Sequence, residues 1–122
     1  MKLHASAAAG RNVFTAYGAD FVAVNGERRT ASVVVLPDRV LDWPVASFES
    51  LGAAHFAQLA ALGAELVLLG TGARLRFPAP ALTAPLAAAG IGLEVMDVQA
   101  ACRTYNILAA EERKVAAALV IG

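Results

Sequence analysis

The sequence holds a single cysteine, Cys102, among 122 residues. That excludes an internal disulfide framework and any zinc site built on a cysteine cluster, and it fits a reducing, cytoplasmic compartment. Histidine is almost as scarce: His4 falls in the opening stretch and His55 in a helical segment, and neither has a nucleophile partner at a useful spacing. No metal, no cofactor and no catalytic residue is therefore predicted. Excess charge of either sign is missing too. Ten basic residues balance ten acidic ones, so nothing draws the chain to nucleic acid or to an anionic membrane. Arg28-Arg29 is too short a basic patch to change that. Long apolar runs are absent: the longest, Val115 to Ile121, is far from the roughly 20 residues that span a bilayer, so no membrane insertion is expected. Met1 to Gly10 offers one lysine and several alanines without an apolar core, the composition of a flexible tail rather than a secretory signal.

What is abundant is alanine. The 58% hydrophobic fraction is raised by 29 alanines, which add little apolar area and tolerate exposure. At this length one ordinary core within a single domain, 1–122, is enough. Asn12 to Tyr17 and Phe21 to Val24 are β-branched, aromatic or small, with Gly18 between them, and predict a hairpin. Asn25-Gly26 is the pair that type I′ turns favour and leads into a third strand, Arg29 to Leu36, which Pro37 ends. Val40 to Val45 is extended ahead of and through Pro44. Phe56, Leu59, Ala60 and Leu62 recur at helical spacing, with Gly63 as the left-handed cap. Glu65 to Leu69 predicts a strand buried on both faces, stopping at Gly70-Thr71-Gly72. Pro80 opens a second helix that ends at Gly90. Gly92 to Met96 is another buried strand, Asp97 caps a third helix reaching about Ala110, and Val115 to Ile121 closes the sheet. A β-rich first third followed by alternating strands and helices makes an α/β protein: a mixed central sheet with helices on its faces.

Two constellations have chemical interest. Gly70-Thr71-Gly72 follows a buried strand, where α/β sheets place ligands and glycine lets a ligand approach the backbone; the sequence lacks a dinucleotide or phosphate-loop spacing, and a tight turn is the plainer account. If the strands over 65–69 and 92–96 are parallel neighbours, Asp97 opens onto the same rim. On the helix that follows, Cys102, Tyr105 and Asn106 share a face while Arg103 groups with Ile107. Asp97 reads most simply as an N-cap, Tyr105 as core with its hydroxyl satisfied, and Cys102 as a small buried hydrophobe. Arg103 has two readings of equal weight, a fork for a carboxylate or phosphate and a structural ion pair with Asp97 or another carboxylate. Arg74 and Arg76 alternate with Leu75 and Phe77, putting two cations on one side of a solvated segment. His55 reads as a helix-surface residue, and Trp43 either as an exposed partner anchor or as core.

Three segments carry a family resemblance: Leu68 to Gly72; Gly90 to Asp97; and Ala100 to Leu108, with its Ala-x-x-Thr-Tyr-Asn pattern at Ala101, Thr104, Tyr105 and Asn106. In this order, and across Val13 to Leu119, the chain resembles a family of small, uncharacterised bacterial and archaeal α/β domains. That family also includes mitochondrial NADH dehydrogenase (complex I) assembly factor 3 and an adipogenesis-associated domain protein. The resemblance implies a single three-layer domain, with an N-terminal β-hairpin layer added to the mixed sheet and its helices. It assigns no catalytic role.

The functional expectation is a non-enzymatic protein-interaction or assembly module, because no acid–base pair, metal cluster or complete phosphate loop is visible. Its partner is then a protein, respiratory-complex-like by analogy alone. The alternative is a binder of, or minor enzyme acting on, a small anionic metabolite at the rim from Gly70 to Gly72 and Asp97 to Asn106. A third reading is a structural oligomer built through the edge strand Val13 to Tyr17. The candidate cleft or interaction residues are Gly70, Thr71, Gly72, Asp97, Arg103, Thr104, Tyr105 and Asn106.

Overall fold

The first layer is set by a reversal at Asn25-Gly26. Both residues hold positive φ, 53° and 86°, as a type I′ turn demands. In the computed structural model, which describes residues 10–122, β1 (Phe14–Tyr17) and β2 (Val22–Val24) form the expected hairpin, and the Asn-Gly turn adds β3 (Glu27–Arg29) to make a three-stranded antiparallel sheet. The tail expected over residues 1–10 lies, apart from Gly10, outside the described residues.

The single strand expected from Arg29 to Leu36 is in fact two. β3 ends at Arg29, and beyond Ser32 the chain enters β4 (Val33–Leu36) in a different sheet. Ser32 fixes that corner: its buried hydroxyl donates to Val45 O at 2.7 Å and accepts from Ile121 N at 2.9 Å. A strand-like run therefore hides a polar residue whose partners lie 13 and 89 positions away. β5 (Arg39–Asp42) then returns antiparallel to β4 after Pro37.

The main sheet has the order β5-β4-β8-β6-β7, with β6 at Leu66–Gly70, β7 at Gly92–Met96 and β8 at Val115–Leu119. β4 runs antiparallel to β8, whereas β6 is parallel to both β8 and β7, so the sheet is mixed. α1 (Ala53–Ala60) and α2 (Pro80–Ala88) pack with one face, and α3 (Val98–Ala110) packs on the other. Two sequence expectations change here. β8 does not close the sheet but forms its centre, and β7, expected to be buried, is an edge strand with Gly92 and Glu94 exposed. Connectivity is the cause: α2 carries the chain from β6 to β7 on one side, and α3 carries it back past β6 to the far side.

Central placement explains the alanines of β8. Val115, Ala117 and Leu119 face the core shared by α3 and the small sheet, while Ala116, Ala118 and Val120 face the core under α1 and α2. Small residues there leave room for Tyr105 and Phe14 on one side and for Phe56 and Trp43 on the other. Trp43 is thus core, only 2% exposed, and not an exposed anchor. His55 also differs from a plain surface residue. Its Nδ1 accepts from Gly52 N at 3.0 Å, holding the start of α1, and its ring meets Trp43 edge-on at 6.1 Å.

Candidate functional site

Because β6 and β7 are parallel neighbours, their carboxyl ends bring Gly70-Thr71-Gly72 and Asp97 to one rim. Thr71 N donates to Met96 O at 2.9 Å, Val98 N to Gly72 O at 2.9 Å, and Val120 N to Gly70 O at 2.8 Å, so three strand ends are tied together. The two glycines serve different needs. A Cβ on Gly70 would lie 2.8 Å from Leu119 Cδ2 and 3.2 Å from the Val98 backbone, so Gly70 allows α3 to sit close to the sheet. Gly72 is at φ +95°, a left-handed conformation that side chains resist.

Thr71 is fully buried and its hydroxyl organises the loop that follows. It donates to Arg74 O at 2.8 Å and accepts from Arg76 N at 3.0 Å. Arg76 fastens the same loop from outside, with Nη1 donating to Glu49 Oε2 at 2.8 Å and the guanidinium 4.5 Å from the centre of the Phe48 ring. A backbone hydrogen bond and the Arg76 charge together hold the Glu49 carboxyl below its ordinary range. Arg76 is therefore not the free solvated cation that its alternation with Leu75 and Phe77 suggested. Arg74 is exposed, as expected, but so are the two apolar residues: Leu75 is 49% and Phe77 72% exposed. Beside them runs a groove of about 380 Å³ bordered by Phe48, Glu49, Arg74, Arg76 and Leu82. The apolar–polar alternation was legible in the sequence. That Arg76 would be drawn in while Leu75 and Phe77 stay exposed was not, because it depends on the hydroxyl of Thr71 and the carboxylate of Glu49.

The remaining candidates divide. Asp97 Oδ1 accepts from Ala100 N at 2.9 Å and caps α3. Arg103 is exposed and, among the described residues, forms no ion pair with Asp97 or any other carboxylate. Thr104 is half-buried. Tyr105 and Asn106 turn toward the small sheet. The Tyr105 hydroxyl donates to Asn12 O at 2.9 Å, and its ring meets Phe14 edge-on at 5.1 Å. The Asn106 amide makes a reciprocal pair with one residue of β1, accepting from Phe14 N at 2.9 Å and donating to Phe14 O at 2.8 Å. It acts as a one-residue neighbouring strand. Burial pushes the Tyr105 phenol far above its ordinary range and the Cys102 thiol up to about 12. The eight candidates thus form a rim (Gly70, Thr71, Gly72, Asp97), a clamp on the N-terminal sheet (Tyr105, Asn106), and the flank of α3 (Arg103, Thr104). Among the described residues no group of three or more His, Cys, Asp or Glu is placed to hold a metal ion, and no helix is long and apolar enough to cross a membrane.

Comparison with known proteins extends this description. The chain is 29% identical over 106 residues to NADH dehydrogenase [ubiquinone] 1 alpha subcomplex assembly factor 3 of Xenopus tropicalis, covering 85% of this chain and 58% of that protein. It is 34% identical over 99 residues to the same factor of Bos taurus, covering 80% and 54%. The chain therefore spans little more than half the length of these relatives. A crystal structure of a protein from Bordetella parapertussis superposes with a TM-score of 0.87 at 41% identity, covering 93% of this chain and 98% of that one. The model of the family described as "Protein of unknown function (DUF498/DUF598)" matches residues 14–120, and the chain belongs to that family.

Proposed function

We propose that this chain is a non-enzymatic protein-interaction module serving the assembly of a multisubunit complex, and that it docks through the loop launched from Gly72. The observation that carries the reading is the rigid presentation of Leu75 and Phe77, both exposed on a segment pinned from below by Thr71 and from the side by Arg76. Ordering a contact loop before binding removes part of the entropic cost of association, and an aromatic residue at the centre of such a patch is the usual energetic anchor. The named role of the relatives as assembly factors supports a protein partner of the respiratory-complex kind. A cytoplasmic location belongs to the same reading and rests on the lone, buried thiol of Cys102.

A metabolite cleft at the rim has less support. Among the described residues Arg103 is an exposed cation without an ion pair, but it stands on the flank of α3. The polar groups of the other candidates are used inside the chain: the Thr71 hydroxyl in the loop, Asp97 in the cap, and Tyr105 and Asn106 on the hairpin. Quantitative affinity capture from the native host separates the readings. The wild-type chain should recover subunits or assembly intermediates of a membrane complex, and the double variant Leu75→Asp/Phe77→Asp should lose them while keeping its melting temperature. Equal recovery by both chains overturns the proposed docking loop. Recovery of the bait alone overturns the assembly module.

A further inference from the structure

At the opposite end of the main sheet, where β4 ends and β6 and β8 begin, lies a groove of about 520 Å³. That volume is within the roughly 300–1,000 Å³ of small-molecule pockets. Its floor is formed by Pro37 and Leu62, both partly exposed, laid over the buried Leu36, Ala109 and Val115, and its rim is charged: Arg11, Arg39, Arg113 and Lys114 against Asp38 and Glu112. Arg39 is already committed. Its Nη2 donates to Leu62 O at 2.6 Å, at the end of α1, and its Nε lies 3.6 Å from Asp38. Among the described residues the other three cations have no such partner. Five described cations, Arg11, Arg74, Arg103, Arg113 and Lys114, make neither an ion pair nor a cation–π contact with a described residue, and three of these line this one groove. Among the described residues the Nε of Arg11 is shielded from solvent and meets no acceptor.

Like charges gather in this way at a cost that an anion relieves. We propose that the groove binds an amphiphilic organic anion, its carboxylate or phosphate head meeting Arg11, Arg113 and Lys114 and its apolar body lying on Pro37 and Leu62. A guanidinium offers either head group a two-pronged contact, and the ammonium of Lys114 adds a point charge. The apolar floor selects against free inorganic ions. This site is separate from the docking loop, and its occupation does not depend on the assembly reading.

Titration of ¹⁵N-labelled protein with octyl phosphate, octanoate and inorganic phosphate tests the proposal. At least one amphiphile should give saturable shifts at the amides of Gly63, Ala64 and Val115, and the tighter of the two names the head group. Arg113→Gln/Lys114→Gln should weaken that binding at least about tenfold at an unchanged melting temperature. Arg74→Gln/Arg103→Gln, which removes the same charge elsewhere, should leave it unaltered. If the first double variant loses stability, Lys114→Gln alone, at an exposed position, should still weaken binding several-fold. Absence of saturable shifts with both amphiphiles overturns the proposal, as does equal weakening by the two double variants. Binding of inorganic phosphate as tight as that of octyl phosphate overturns the role given to the apolar floor.

Discussion

Cys102 shows how a residue's chemistry is set by its surroundings rather than by its type. It sits on the inner face of α3, fully buried with Ala101, Tyr105 and Ala109, and burial raises its pKa from an ordinary 9.0 to about 12. The folded chain therefore holds the thiol proton more tightly than the unfolded chain does. The stability linked to this proton is fully present below the unfolded value near 9 and is lost as pH rises from there toward the folded value near 12. A thiol without thiolate is a poor nucleophile. Iodoacetamide at pH 8 should label the native protein far more slowly than the urea-unfolded protein, and labelling at the unfolded rate would remove the inert role assigned to Cys102. This much was legible in the sequence, since a lone cysteine well inside an amphipathic helix is ordinarily core. The hydrogen bonds of Tyr105 and Asn106 were not, because their partners Asn12 and Phe14 stand more than ninety positions away.

At the scale of elements, legibility followed locality. The Asn25-Gly26 turn, the Asp97 cap and the start of α2 at Pro80 are each specified by a few adjacent residues, and the structure keeps them. The division of the Arg29-to-Leu36 run, the central position of β8 and the edge position of β7 depend on contacts between distant segments, and periodicity alone carried no sign of them. Asp97 tests the local kind of information. Its carboxylate accepts from Ala100 N, and N-cap geometry accepts Asn nearly as well as Asp. Asp97→Asn should leave stability almost unchanged, whereas Asp97→Ala should cost about 1 kcal/mol in urea denaturation. A loss of partner capture in Asp97→Asn without loss of stability would show that the charge itself serves the rim. Equal destabilisation by both variants would show that the negative charge at the start of α3, and not the hydrogen bond, is the stabilising part.

Over the whole molecule, α3 is the element that makes one body of two sheets. Val98, Ala101 and Cys102 lie with the main-sheet residues Leu68, Ala117 and Leu119 in one core, and Tyr105 joins that core to Phe14, Val22 and Val24 of the small sheet. Asn106 adds the directional part. By pairing with both polar groups of Phe14 it covers part of the free edge of β1, which weakens the reading of Val13 to Tyr17 as an open seam for oligomers. The three-residue pattern Thr104-Tyr105-Asn106 is thus a structural clamp at its last two positions. Removing the amide leaves the half-buried N–H and C=O of Phe14 without their partner, at a cost of about 1–3 kcal/mol. The loss should be local, because β6 and β8 are held by each other and by two cores that Asn106 does not join. In hydrogen exchange, Asn106→Ala should therefore lower protection through β1 and β2 by more than through β6 and β8. A uniform loss across both sheets would mean that the core they share with α3 makes the small sheet and the main sheet open as one cooperative unit, and that Asn106 is not a local clamp.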